Sequence, residues 1–223
     1  MPDLQESDRT GQTAYRRTRQ AMVEEQLRRR GISDERVLEA MRQTPRHAFV
    51  TPELRDSAYR DSPLPIGSGQ TISQPYTVAF MCEAAGLRGT ERVLEVGAGS
   101  GYGAAVLAHL SAHVDTVERV PELAEEARQT LSKLGYANVS VHLADGSLGW
   151  AENAPFDAII VTAGAKTLPV AYADQLAQGG RLIIPIGTVD AGQTMYRLTK
   201  QDDKLNAERL GNFSFVPLVE GST

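Results

Sequence analysis

An α/β protein built on a doubly wound, mostly parallel sheet with helices on both faces is what this sequence predicts, on three observations. Short apolar runs alternate with stretches of helical period from residue 76 onward. The first five of these runs are short strands separated by helical stretches, the order of a parallel, doubly wound sheet. The last two, "TMYRLTK" and "LGNFSFVPLV", alternate in the manner of antiparallel strands that close such a sheet.

The elements follow in order. Residues 1–15 are polar and lack a hydrophobic period, so a disordered tail is expected there. From Thr18, "TRQAMVEEQLRRRG" places Met22, Val23 and Leu27 on one helical face and Gly31 where a helix ends. Ser33 is positioned to cap a second helix, "SDERVLEAMRQT", whose stripe is Val37, Leu38 and Met41 and whose stop is Pro45. These helices make an N-terminal lobe. Residues 51–75, rich in Pro, Gly and Ser, read as a long loop, and such loops in compact domains are usually functional or disordered. Residues 16–75 are expected to form one compact unit with residues 76–223.

Beyond the loop, helix "YTVAFMCEAAGL" leads to strand "RVLEV", helix "YGAAVLAHL", strand "VDTVER" and helix "PELAEEARQTLSKLG". Strands "NVSVHLA" and "FDAIIVTA", helix "TLPVAYADQLAQGG" and strand "RLIIPIG" follow, and the two alternating segments bring the sheet to seven strands. Pro121 in a first turn, and Gly135, Gly179 and Gly180 after helix ends, punctuate the pattern in the expected sense.

Composition excludes several classes of function. With 23 Lys and Arg against 28 Asp and Glu, the formal charge of −5 gives no field that draws the chain to nucleic acid or anionic lipid. The single cysteine, Cys82, cannot form an internal disulfide and reads as a small core residue. No apolar run approaches the ~20 residues of a membrane helix, and the N-terminal segment lacks the apolar region of a signal peptide. A soluble, cytoplasmic protein is expected, and a monomer, because no exposed apolar helix or repeat suggests a dedicated interface.

The chemistry is concentrated in "RVLEVGAGSGYGAAVLAHL". Glycines at a strand-to-helix turn let the backbone approach a ligand closely. Gly99, Gly101 and Ala104 fit the dinucleotide pattern G-x-G-x-x-A, which leaves NAD open. The register Gly97, Gly99, Gly101 with Glu95 upstream is more economical, because a carboxylate there would repel a pyrophosphate and attract an ammonium or sulfonium cation. S-adenosylmethionine carries such a cation. Glu118 ends the next strand, where a carboxylate accepts ribose hydroxyls, and Asp145 and Gly146 follow the third, near an adenine amine.

The motifs "RHAFV", "AYRDSPLPIGSGQTISQPY", "RVLEVGAGSGYGAAVLAHL", "VERV", "ADG", "APFDAIIVTA", "QLAQGGRLIIPIG" and "FVPLV" together resemble the protein-L-isoaspartate O-methyltransferases, in order, from about Met22 to Val219. "GQTISQP" and "FVPLV" are specific to that family, whereas the glycine loop is shared by many methyltransferases. The resemblance implies a Rossmann-like methyltransferase fold and transfer of a methyl from S-adenosylmethionine to the carboxylate of isoaspartyl residues in aged peptides and proteins, initiating repair through a succinimide and releasing S-adenosylhomocysteine. By motif it implies Ser73 as the active-site serine, with Gln70 and Thr71 shaping the same pocket. Glu95, Gly97, Gly99 and Gly101 would form the cofactor loop, Glu118 would hold the ribose, and Asp145 and Gly146 would lie near the adenine. Phe215, Val216 and Pro217 would flank the substrate peptide, and "FSFVPL" is expected to act as an edge strand that pairs with it. Two segments depart from the family pattern: "ADGSLGW", where relatives often read G-D-G, and "TAGAKTLP", where T-A-A-P is usual. A small-molecule methyltransferase that has repurposed the "GQTISQP" loop is the alternative.

The implied reaction needs no strong base, since a carboxylate of pKa ~4 is already ionised at neutral pH. His47, His109, His113 and His142 accordingly sit in no catalytic or metal-ligand spacing. His109 and His113 read as a helix-end cation pair, and Arg46 with His47 as a support for the loop. Ser73 is then a donor that orients the substrate carboxylate.

Overall fold

The computed structural model describes residues 4–219. Helix α1 (Leu4–Ala21) continues through a wide turn (Met22–Leu27) and a tight one (Arg28–Arg30) to Gly31, whose φ of +99° ends the helix in the left-handed region. The backbone is thus helical from Leu4 in a segment whose composition predicts a disordered tail; Met1 to Asp3 lie outside the described residues. Helix α2 (Glu35–Gln43) is capped by Asp34, one residue later than expected, and the Asp34 carboxylate accepts the Arg36 N–H at 2.9 Å. Ser33 has another task. Its N–H and that of Asp34 both donate to Glu83 Oε1 at 2.7 Å, which ties the start of α2 to helix α3 (Pro75–Ala85).

Residues 51–75 are more ordered than a loop. A tight helical segment (Pro52–Ser57) precedes an antiparallel hairpin of β1 (Leu64–Gly67) and β2 (Gln70–Ile72). Its tip, Gly67, Ser68 and Gly69, holds three successive positive φ values. Leu64, Ile66 and Ile72 are buried, so the hairpin is anchored by apolar side chains that no local period reveals.

The main sheet has seven strands in the order β5-β4-β3-β6-β7-β8-β9. They are β3 (Arg92–Val96), β4 (His113–Glu118), β5 (Val139–Leu143), β6 (Phe156–Val161), β7 (Leu176–Thr188), β8 (Gly192–Gln201) and β9 (Lys204–Phe213). The first five are mutually parallel and the last two antiparallel, as the apolar runs predict. Helices α4 (Tyr102–Ala108), α5 (Pro121–Lys133) and α6 (Val170–Gln175) complete the element order. Helix α6 is shorter than expected, because Leu176 already pairs with Phe156, and Gly179 and Gly180 fall inside β7 at a register shift.

Period-two alternation splits the core between the two faces. Val93, Val114, Ile160 and Ile183 join the N-terminal helices, the hairpin and α3 to α5 on one face. Leu94, Val96, Val117, Phe156 and Ile159 pack with Tyr172 on the other. Residues from Met22 to Phe215 share the first cluster, so the N-terminal lobe and the sheet bury one continuous core. Strand order reverses at β3, between β4 and β6, and the crevice at the carboxyl ends of these strands is where an open α/β sheet takes a ligand.

Candidate active site

The turn after β3 is fixed by main-chain bonds to the neighbouring strand. The N–H groups of Gly97 and Ala98 donate to Val117 O at 2.9 and 3.1 Å, and Gly99 N–H donates to Glu118 Oε2 at 2.9 Å. Gly97 has φ +97°, and a Cβ there would sit 2.5 Å from Thr162 Oγ1. That hydroxyl lies 2.9 and 2.7 Å from the carbonyls of Val96 and Gly97 and is held in place. The Thr162 hydroxyl occupies the place a side chain on residue 97 would need.

Glu95 lies under the first turn of α4. A Cβ on Gly103 would be 2.1 Å from Glu95 Oε1, and Thr116 Oγ1 donates to Glu95 Oε2 at 2.6 Å. Burial pushes its carboxyl up to about 8, and the nearby Glu118 adds to the shift. Glu95 therefore holds a proton at neutral pH before ligand binds, and its hydrogen bonds, rather than a standing charge, are what it offers the cleft. A raised carboxyl pKa carries a stability consequence with a definite sign. The folded state keeps a proton that the unfolded chain has lost, so this group's contribution is full below about pH 4.5 and falls away as pH rises to about 8. Glu95→Gln should remove that slope and raise unfolding stability on the order of 3 kcal/mol at pH 7, with little change at pH 4.5. Thermal unfolding of both proteins across this pH range checks it; parallel curves would contradict it.

Glu118 is 8% exposed and already accepts three N–H groups: Gly99 at Oε2, and Arg119 and Val120 at Oε1 at 2.9 and 3.0 Å. Asp145 caps the short turn after β5, its Oδ1 accepting the Ser147 N–H and hydroxyl, while Gly146 lines the crevice. Tyr172 holds the Gly146 carbonyl at 2.9 Å.

Three cavities meet here. A cleft is lined by Gln70, Thr71, Ser73, Glu95, Gly97, Gly99 and Glu118. A second shares Gln70, Gly97 and Glu118 and extends to Gly146, Arg119 and Pro217. A wide outer groove carries Tyr76, Phe80, Phe213, Phe215, Val216 and Pro217. Thr71, Ser73, Thr162 and Val216 line both the first cleft and the groove, so the two communicate at Ser73. The Ser73 hydroxyl is half-buried and has no hydrogen-bond partner among the described residues.

A family model described as protein-L-isoaspartate(D-aspartate) O-methyltransferase matches residues 17–223. The chain belongs to this family. A relative named protein-L-isoaspartate O-methyltransferase 1, from Rhodopseudomonas palustris (strain HaA2), is 52% identical over 93% of the chain and 85% of its own length. Another, named protein-L-isoaspartate O-methyltransferase 2, from Marinobacter nauticus, is 54% identical over 90% of the chain and 92% of its own. Among solved structures, a protein-L-isoaspartate O-methyltransferase matches at TM-score 0.82 with 32% identity, covering 91% of the chain and 66% of that structure's chain. A Plasmodium falciparum methyltransferase of this family, solved in complex with S-adenosyl-L-homocysteine, matches at TM-score 0.78 with 30% identity, covering 91% and 99%.

Within this protein-L-isoaspartate O-methyltransferase fold, Gln70, Thr71, Ser73, Glu95, Gly97, Gly99, Glu118, Gly146, Phe215, Val216 and Pro217 line the connected cavities, whereas Gly101 packs against Leu131 and Ala127 of α5. Asp145 caps the turn that carries the crevice-lining Gly146, and, as a correction, the "FSFVPL" segment is not an edge strand beyond Phe213. Strand β9 ends at Phe213, and the chain then crosses to the carboxyl end of β6, where Gly164 N–H donates to Val216 O and Leu218 N–H to Gly164 O, both at 2.8 Å. Gln193 fixes the start of this crossing, accepting the Phe215 N–H at 2.6 Å and donating back to its carbonyl at 3.2 Å. The Phe215 N–H and carbonyl, the Val216 carbonyl and the Leu218 N–H are thus engaged within the fold.

Sequence reasoning missed Thr162 and Gln193, whose roles rest on contacts with distant residues. No histidine lines these cavities. His109 follows α4 and meets Tyr136 edge-on, whereas His113 opens β4 beside Asp115, so they form no pair. His47, held down to about 4 by burial, contacts the Tyr59 hydroxyl at 2.6 Å. Buried Arg46 donates to Ala58 O at 2.8 Å and lies over the ring of Tyr102, a cleft-lining residue, so its support reaches the site from below.

Proposed function

We propose that this protein transfers the methyl of S-adenosylmethionine to the carboxylate of isoaspartyl residues in aged peptides and proteins. The observation that carries the reading is the meeting of a glycine-walled cleft with an open, aromatic-lined groove at one unpartnered serine hydroxyl. A closed pocket would suit a small acceptor; this groove is open to solvent and suits a chain.

The residues fit the cofactor. Gly97, Gly99 and Gly103 give the first cleft a wall without side chains, with Gly103 directly over Glu95, and Gly146 lines the adjoining cavity. A carboxylate has about four acceptor positions, and Glu118 has three in use, so one remains for a ribose hydroxyl. Accepting the second hydroxyl requires the Gly99 N–H to yield. Bound here, S-adenosylmethionine supplies an electrophilic methyl and leaves as S-adenosylhomocysteine.

The chain's own contribution is orientation and exclusion of water. Transfer joins a cationic donor to an anionic acceptor and neutralises both, so water, which stabilises the separated charges, slows it. Ser73 donates one hydrogen bond to the acceptor carboxylate and fixes the direction of its second oxygen. Gln70 and Thr71 wall the same junction from β2, and Phe215, Val216 and Pro217 wall it from the opposite side. No side chain must take a proton. In the released product a main-chain N–H attacks the new ester, methanol leaves, and the resulting succinimide hydrolyses in part to normal aspartate.

The formal charge of −5 argues for peptide rather than nucleic-acid partners, and no described helix is long and apolar enough to cross a membrane. A cytoplasmic monomer is the working state we assign. Incubating the protein with an isoaspartyl peptide and S-adenosylmethionine, and separating products over time, should show methyl ester, then succinimide, then a rising fraction of aspartyl peptide. An unchanged isoaspartyl peak after many cofactor equivalents would overturn the reading.

A further inference from the structure

Ser73 stands in a two-residue connection, Ser73 and Gln74, between β2 and α3, and its own side chain anchors nothing. Something else must hold it. Helix α3 begins at Pro75, which has no N–H, and Gln74 at the cap position makes no capping bond. The cap comes from outside the helix. Asp61 Oδ1 accepts the Tyr76 N–H at 3.2 Å, and Asp61 Oδ2 accepts Gln74 Nε2 at 2.8 Å. One carboxylate thus grips the chain on the C-terminal side of Ser73 twice, once through main chain and once through side chain.

Arg30 completes the assembly. Its guanidinium donates to Asp61 Oδ2 and lies 3.6 Å from the centre of the Tyr76 ring. The Arg30 cation therefore spans Asp61 and the first turn of α3, and both Arg30 and Tyr76 line the outer groove. On the N-terminal side of Ser73, Ile72 is buried and belongs to the hairpin.

We propose that Asp61 is a positioning residue for methyl transfer: it sets the direction of the Ser73 hydroxyl by holding Gln74 and Tyr76, with Arg30 as its brace. This rests on Ser73 being the donor to the substrate carboxylate. Asp61 itself lines none of the three cavities, and an effect that passes through Ser73, rather than through Arg30 and Tyr76 in the groove, must vanish when the hydroxyl is gone.

A double-mutant cycle over Asp61→Ala and Ser73→Ala tests this, with peptide kcat/KM and S-adenosylhomocysteine affinity read for all four proteins. Asp61→Ala should lower kcat/KM about tenfold when Ser73 is present and less than about twofold in the Ser73→Ala background. Cofactor affinity should stay within about twofold throughout. Equal losses in both backgrounds would overturn the proposal, since Asp61 would then act independently of the hydroxyl, and so would no loss in either. If Ser73→Ala alone costs nothing, the reading of Ser73 has failed, and that is visible in the single variant. Should Asp61→Ala not fold, Asp61→Asn keeps an acceptor for the Tyr76 N–H and should show a smaller loss with the same dependence on Ser73.

Discussion

Gly97→Ala should abolish cofactor binding while leaving most of the fold intact. Two penalties coincide at this position. The φ of +97° lies where an L side chain is strained by roughly 1–2 kcal/mol, and the new methyl would be 2.5 Å from a hydroxyl that is itself pinned to two carbonyls. Relief of the clash requires either Thr162 to give up both hydrogen bonds or the loop to move away from it, toward the cleft. S-adenosylhomocysteine affinity is expected to fall by at least about 100-fold, which is on the order of 3 kcal/mol. Gly135→Ala is the control. Its φ of +82° carries similar strain, but nothing lies within 4 Å of the added methyl and the site is elsewhere. Calorimetric titration should find its binding unchanged; equal loss in both variants would mean that Gly97 matters only through backbone strain.

Ser73→Ala should lower kcat/KM on the isoaspartyl peptide about 100-fold, the scale of removing one oriented donor from a water-poor site. Unlike Gly97, Ser73 contributes little to the empty protein, since its hydroxyl is half-buried and unpartnered. Cofactor affinity and melting temperature should therefore match the parent within error. A loss of cofactor affinity equal to the loss of activity would relocate Ser73 from acceptor to cofactor.

The legible parts of this molecule are those whose cause is local. Strands β3, β4 and β6 are buried along nearly their whole length, and the glycine loop lies within one strand-turn-helix unit. Glu118 could be placed because it ends the next strand. What escaped reading depends on residues far apart in sequence. Asp61 acts on Tyr76 through a bend and a hairpin, Gln193 reaches across to Phe215, and Thr162 acquires its role only because β6 lies beside β3. The hairpin in residues 64–72 was hidden by its Pro and Gly content, and α6 was overextended because its apolar period runs on into β7. The "FSFVPL" alternation suggested a strand, but Gln193 and Gly164 take up its main-chain groups and turn the segment over the site.

Transfer of labelled methyl from S-adenosylmethionine to two peptides that differ only in an isoaspartyl or aspartyl linkage tests the central claim most directly. Base-labile label on the isoaspartyl peptide alone is the predicted result. Label on neither peptide, in a protein that binds S-adenosylhomocysteine, would contradict it and point to a small-molecule acceptor.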